Sequence, residues 1–350
     1  MRDLRHLLSR FACVGSESGG GLPPGFARRH AGRGPFSEAW FGKVDIAPGQ
    51  AFWFRFTLLD GACREAAVWA IWFDEGRIVT GKSVVPLDRL AAPSRIEVTA
   101  QAGSSRLAGR PPVFHADAGH LDSGHAVGRA GSISFDLTWE SAGRAHDLVP
   151  ALLARAGVAK TTYSSSFIDI RLTGSVERAG RRVAFSCATG MLGHISGVRS
   201  PHCWAWAHCN HFDRGEDAVF EGLSARLGVF GRGSPPLSSF VLFLGPRRYS
   251  FSSPFRLVTS TSRFSRTEWR FSTRNRHAEL SGLAVAPSSV ALVQYTDTDG
   301  SHLWCHNSKL ARLELTVTER DTGRITRLIS SAAAAFEVVD RVQPAREADL

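Results

Sequence analysis

HCWAWAHCNHF, residues 202–212, sorts into two unlike faces when read as a strand. Side chains alternate along a strand, so His202, Trp204, Trp206, His208, Asn210 and Phe212 share one side, while Cys203, Ala205, Ala207, Cys209 and His211 share the other. Large amphipathic rings opposed by small residues suit a strand whose aromatic face lines a ligand cavity rather than meeting solvent. The same alternation weakens a metal reading. Cys203 and Cys209 lie six residues apart, about 20 Å along a straight strand, too far to share one zinc. No HExxH or CxxC spacing accompanies them.

The rest of the chain has the same strand-like texture. EAWFGKVD (38–45), AFWFRFTLL (51–59) and AAVWAIWFDEGRIVTGKSVV (66–85) are runs bounded by Gly, Pro or Asp. In the second, Phe52, Phe54, Phe56 and Leu58 fall on one face and Trp53, Arg55, Thr57 and Leu59 on the other. AVWAIWFD (67–74) is apolar on both faces, which implies a strand covered on both sides. Further strands are expected at 94–100, 131–139, 166–178, 181–187, 217–230, 238–244, 254–260, 266–273, 277–285, 289–297 and 311–318, with a closing helix or strand at 331–339. HDLVPALLARAG (146–157) is the one good helical stretch in the middle, with only a short helix expected after Pro150. The fold class is therefore all-β, sandwich or barrel, in two halves. The expected division is a flexible leader at 1–34, an N-terminal β unit at 35–155, a C-terminal one at 156–340 and a tail at 341–350.

Composition narrows the function. The net charge of +10 invites nucleic acid, but only four of the 42 basic residues are lysine and the arginines form no long block, so no nucleic-acid partner is expected. No apolar run is long enough for a spanning helix and no signal peptide is evident. A cytoplasmic location is expected, compatible with loose, peripheral membrane association but not with stable insertion. Six cysteines without a regular framework read as reduced thiols.

Local chemistry offers several candidates. GMLGHISG (190–197) reads as a turn placing His194 between Gly193 and Gly197 at a barrel mouth, where an imidazole can move protons. Asp74, Asp136, Asp169, Asp217 and Glu221 sit in or beside apolar strands, where desolvation raises a carboxyl pKa. Glu38 and Glu221 are the more interesting carboxylates, because aromatic or small residues follow them. YTDTDGSHLWCHNSKLA (295–311) contains a turn with Gly300 at its corner and lacks the glutamate of a calcium loop. No nucleophile elbow, dinucleotide loop or phosphate loop is present.

Taken together, EAWFGKVD, AVWAIWFD, GMLGHISG followed by WAWAHCNHF, and YTDTDGSHLWCHNSKLA resemble the lipocalin-like carotenoid 1,2-hydratase and tocopherol-cyclase-like superfamily, to which fungal lipocalin-like Diels-Alderases are distantly related. The resemblance runs over roughly residues 36–320. It implies two tandem lipocalin or calycin-like β-barrels with few short helices, and an apolar ligand held at or between them. Related sequences usually carry GHNWG where this chain has Gly193, His194, Ile195, Ser196 and Gly197, and commonly Tyr where Trp204 stands. His194 is kept and the neighbouring amide and indole are not, which bears most on hydration.

The expected function is binding of an isoprenoid- or polyketide-like molecule in a β-barrel pocket, with its cyclisation, isomerisation or hydration and no cofactor. The alternative is a non-catalytic lipocalin-like carrier of a hydrophobic metabolite. His194 and His208 are the expected proton donors. Trp69, Trp72, His202, Trp204, Trp206, Asn210, Trp304, His306 and Asn307 are the expected ligand contacts, and no metal is expected. The oligomeric state is left open.

Overall fold

The computed structural model describes residues 25–30, 34–90, 112–140, 144–229, 232–345 and 348–350. The strand expected at 94–100 and the first 24 residues of the expected leader lie outside them. Strands β1 (Phe36–Ala47), β2 (Gln50–Asp60), β3 (Arg64–Asp74) and β4 (Arg77–Pro86) form an antiparallel meander. β5 (Phe114–Ala116), β6 (Gly119–Leu121), β7 (His125–Ala130), β8 (Ile133–Trp139) and β9 (His146–Asp147) follow. After helix α1 (Ala151–Arg155) come the long strands β10 (Thr161–Arg178) and β11 (Arg181–Gly197). β11 pairs with β1, from Ser37↔Gly197 to Asp45↔Thr189, and so joins the meander to the later strands in one 11-stranded sheet.

The second, 10-stranded sheet opens with β12 (Cys203–Cys209) and β13 (Ala218–Arg226). The small hairpin β14 (Gly228–Val229) and β15 (Arg232–Gly233) leads to β16 (Leu237–Leu244) and β17 (Arg247–Ser250). Helix α2 (Pro254–Thr259) precedes β18 (Thr261–Phe264), β19 (Glu268–Arg274), β20 (Ala278–Val285), β21 (Ala291–Thr296), β22 (His302–Glu319) and β23 (Ile325–Asp340). The fold is the expected all-β pair of barrels with few short helices. Residues 254–260, expected as a strand, are mostly helical, because Pro254 stands in the first turn, where a missing N–H does no harm.

The passage between the sheets falls after Gly197 rather than near 155. The helix at 151–155 links β9 to β10, both partners in the first sheet. Nothing in the texture of 161–197 marks it as the end of one unit, since pairing with β1 is long-range. Residues 25–30, placed by sequence in a flexible leader, also pack onto the first barrel. Phe26 is fully buried there and its carbonyl accepts the Trp40 indole N–H at 2.8 Å.

Alternation fills each barrel. In the first, Trp40, Phe52, Phe54, Phe56, Val68, Trp72 and Phe135 point inward. In the second, Ala205, Ala207, Phe220, Phe240, Trp269 and Phe271 do so. Burying one such ring contributes about 1.5–3 kcal/mol. At the first barrel's seam β4 runs so close to β7 that a Cβ on Gly81 would lie 1.9 Å from the Ala130 carbonyl oxygen, so only glycine fits. The opposite faces meet between the barrels. Phe41, Trp53, Trp69 and Ile71 from the first pack with Trp206, Val293, Cys305 and Val339 from the second. β3 is thus covered on both sides, as its apolar faces require.

Candidate functional site

Where the two outer faces diverge, a cavity of about 920 Å³ opens between the barrels. Phe41 and Arg55 come from β1 and β2, Tyr163 and Ile195 from β10 and β11, Trp204 and Trp206 from β12, and Tyr295 and Glu337 from β21 and β23. The cavity therefore lies between two barrels whose interiors are packed with rings. Within β12, HCWAWAHCNHF divides as its alternation requires: Ala205, Ala207 and Cys209 enter the second barrel's core, and Trp204 and Trp206 face the cavity. Phe212, expected on the Trp face, lies past the strand's end and joins the core.

Behind the cavity wall lies a buried acid. Glu221 on β13 is fully buried, and Tyr163 Oη donates to its Oε1 at 2.5 Å. Ser165 Oγ lies 2.7 Å from both carboxylate oxygens, and Trp206 Nε1–H donates to Oε1 at 3.1 Å. Burial pushes the Glu221 carboxyl up to about 7 against the pull of those three donors. Burial and the neighbouring carboxylate hold the Tyr163 phenol well above its ordinary value. Tyr163 and Trp206 thus border the cavity, with a group able to gain or lose a proton near neutrality directly behind them.

This arrangement makes stability depend on pH with a definite sign. Glu221 has a folded pKa of about 7 against an ordinary 4.5, so the folded state binds more protons between those values. Its contribution is full below about 4.5 and is lost as pH rises through 7, a difference of roughly 3 kcal/mol. Thermal melts at pH 5 and pH 8 are expected to show wild type losing more stability than Glu221→Gln over that span. Parallel losses in the two proteins would remove this assignment.

A second polar group lies farther along the same interface. The buried Lys309 Nζ donates to Glu337 Oε1 and Asn307 Oδ1, each at 2.6 Å. It also sits 5.7 Å from the Trp53 ring of the first barrel and 5.6 Å from the Trp206 ring of the second. Lys43, fully buried on β1, reaches across to the Ala333 carbonyl oxygen at 2.6 Å and pairs with Asp45 at 3.0 Å. Arg55 stacks over Tyr295 at 4.3 Å on the cavity wall.

The two histidines expected as proton donors stand elsewhere. GMLGHISG is the end of strand β11 rather than a turn, and its glycines admit close neighbours: a Cβ on Gly193 would meet the Phe41 ring at 2.7 Å. His194 is stacked on Trp40 at 4.9 Å inside the first barrel. Its Nε2 is 2.8 Å from Glu38 Oε1, and its Nδ1 faces the Gly25 carbonyl. Glu38 also accepts the Arg29 and His30 backbone N–H groups at 2.7 and 2.9 Å. This network ties residues 25–30 to the barrel, and His194 does not border the cavity.

His208 is also fully buried, with Nε2–H donating to the Ile168 carbonyl at 2.8 Å. Burial, followed by nearby Lys43, holds it well below its ordinary value, so it stays neutral. It too is absent from the cavity wall.

Among the expected ligand contacts, His202, Trp204 and Trp206 line the cavity and the others do not. Trp69 is buried between the barrels, its Nε1–H donating to Thr57 Oγ1 at 2.9 Å, with Lys82 Nζ 4.0 Å from its ring. Trp72 belongs to the first barrel's core. Asn210 donates to Asp169 Oδ1 and the Gly190 carbonyl, both at 2.9 Å, and so ties the barrels together. Asn307 supports Glu337 at 3.1 Å, Trp304 is buried and His306 is half-buried. Cys187 is disulfide-bonded, against the expectation of reduced thiols, and four other cysteines are free.

Tyr163 was missed from sequence. Its signal was rarity: the chain has three tyrosines, and two of them, Tyr163 and Tyr295, face the cavity.

No described helix is long and apolar enough to cross a membrane, which says nothing of strands. No curated protein matches the chain in sequence. Among solved structures, CghA with Sch210972 is 13% identical, covering 90% of this chain and 89% of that one with a TM-score of 0.55. A Nitrosomonas europaea protein provisionally assigned as AttH is also 13% identical, covering 94% and 100% with a TM-score of 0.51. Kievitone hydratase from Nectria haematococca is 9% identical, covering 91% and 90% with a TM-score of 0.49. The first two establish a shared fold. The tocopherol cyclase-like family matches residues 166–339, a span that includes Trp204, Trp206 and Glu221 and stops three residues short of Tyr163. Residues 166–339 are thus similar to the tocopherol cyclase-like family, and they sit in the all-β, two-barrel architecture that the resemblance implied.

Proposed function

We propose that this protein holds an apolar isoprenoid- or polyketide-like molecule in the inter-barrel cavity and catalyses its cyclisation, isomerisation or hydration by proton transfer, without a redox cofactor. The observation that carries this reading is the buried Glu221–Tyr163 pair at the wall of a cavity of about 920 Å³, a volume suited to a small molecule. The matched family's name and the structure of CghA with Sch210972 support the same ligand class.

The chemistry follows from the hydrogen bonds. With Glu221 ionised, the Tyr163 hydroxyl points at the carboxylate. With Glu221 protonated, its O–H donates to the Tyr163 oxygen and the phenolic proton turns to the cavity. Transfer of that proton to an alkene carbon leaves a carbocation on the substrate, while the Glu221 proton moves to the phenolic oxygen. The charge ends on the Glu221 carboxylate, where Ser165 and Trp206 donate to it. The Trp204 and Trp206 rings stabilise the cation through their faces. Proton loss from the cation, ring closure or capture by water then sets the product. His194 and His208, the donors expected from sequence, take no part in this scheme.

The test begins with lipophilic material extracted from protein purified from its native host and analysed by mass spectrometry. A retained apolar compound is expected with wild type and is expected to be lost with Ala225→Trp, which fills the cavity from β13. No retained compound, or equal retention by the filled variant, would overturn the reading. Retention by wild type without conversion would reduce it to the carrier.

A further inference from the structure

We propose that His120, Asp122 and His125 form a binding site for one zinc-type divalent cation on the outer face of the first barrel, independent of the inter-barrel cavity. Each of the three offers a ligand atom, and these atoms lie within 4.8 Å of one another. Small rotations bring such a set onto a metal with bonds near 2.0–2.2 Å.

The sheet register produces the cluster. His120 on β6 pairs with Val127 on β7, and His125 stands two residues from Val127, so both imidazoles emerge on one face. Asp122 lies in the turn between those strands, its backbone N–H donating to the His125 carbonyl at 2.9 Å. Phe114, Leu121 and Ala126 point the other way, into the first barrel's core. Packing beneath the sheet therefore does not require the two half-buried imidazoles, while the buried Asp122 also caps its own turn.

Surrounding groups already hold the ligands as a metal site needs. The Gly124 N–H donates to Asp122 Oδ1 at 2.7 Å, fixing the carboxylate with Oδ2 3.2 Å from His120 Nε2. His115, directly opposite His120 in the β5–β6 register, places its Nδ1 3.2 Å from His120 Nδ1. Asp136 Oδ1 lies 2.8 Å from His125 Nε2. Each ligating imidazole thus has one ring nitrogen held by a neighbour, the arrangement that fixes tautomer and ring orientation in histidine metal sites. Two imidazoles and one carboxylate suit zinc or another late divalent metal, with a position left for water. A surface groove lined by His115, His120 and Asp136 runs beside the cluster and reaches His120.

The full chain, treated with chelator, desalted and with its thiols alkylated, is titrated with zinc and separately with cobalt(II). Expected results are one equivalent per chain and visible d–d absorption from cobalt at low coordination number. His125→Gln is expected to weaken binding at least 100-fold. Asp136→Asn, a change at an exposed side chain that removes no ligand, is expected to weaken it about 10–100-fold. Absence of a stoichiometric equivalent in wild type overturns the site, as does unchanged affinity in Asp136→Asn together with a folded His125→Gln.

Discussion

Glu221→Gln is expected to lower turnover of the retained compound by about 10²–10⁴-fold, the range associated with loss of a positioned acid, while leaving its retention within a few-fold. Glutamine keeps the volume and can still accept from Tyr163, but it has no proton to pass on. Tyr163→Phe breaks the same route on its cavity side and is expected to fall by a similar factor. Because the two act in series, the double variant should be little worse than either alone. Wild-type turnover should decline as pH rises above about 7, the value at which the carboxyl loses its proton, and that limb should vanish in both variants. Single-turnover measurements across pH test all of this. Turnover at the wild-type rate by either single variant would leave conformational restraint, which needs no acid, as the source of catalysis.

Lys309→Met is expected to destabilise the fold by about 3–5 kcal/mol, because it strands the Glu337 carboxylate in a buried site without its cation. Lys309 Nζ is the centre of a group that includes Glu337 and Asn307, with Trp53 and Trp206 on either side. Adding Glu337→Gln removes the stranded charge and keeps an acceptor for Asn307, so the double variant should recover most of the loss. Chemical denaturation of the three proteins provides the measurement. A single variant within 1 kcal/mol of wild type would mean that water reaches Glu337 from the cavity and replaces the lysine.

Alternation was the part of the fold most legible in sequence. It placed Phe52, Phe54 and Phe56 on one face and Trp53 and Arg55 on the other, and the structure sends the first set into a barrel and the second toward its neighbour. It also separated the two faces correctly within the strand Cys203–Cys209, whereas Phe212, beyond the strand's end, enters the second barrel's core rather than the Trp204 face. What alternation lacks is partner identity. Residues 161–197 look like any strand pair, and only the register Trp40↔His194 shows that they complete the first barrel. The same register carries His194 onto Trp40 and away from the cavity. Glu221 drew notice as a carboxylate among apolar neighbours, yet its partner Tyr163 lies 58 residues away on the other barrel, a contact no local pattern predicts. His120 and His125, by contrast, lie only five residues apart, and the β6–β7 hairpin between them is what turns both to one face.

Each barrel has a full interior, and this has a consequence for how such proteins diversify. A lipocalin that keeps its ligand inside must hollow out its own core, so every change of ligand is also a change of packing. Here Phe54 and Phe271 support the barrels, while Ile195, Leu223 and Ala225 shape the space between them. Substitution at those wall positions remodels the cavity without opening either core. A tandem of this kind can take on new ligands by drift at a seam, and the two barrels keep their stability while it does so.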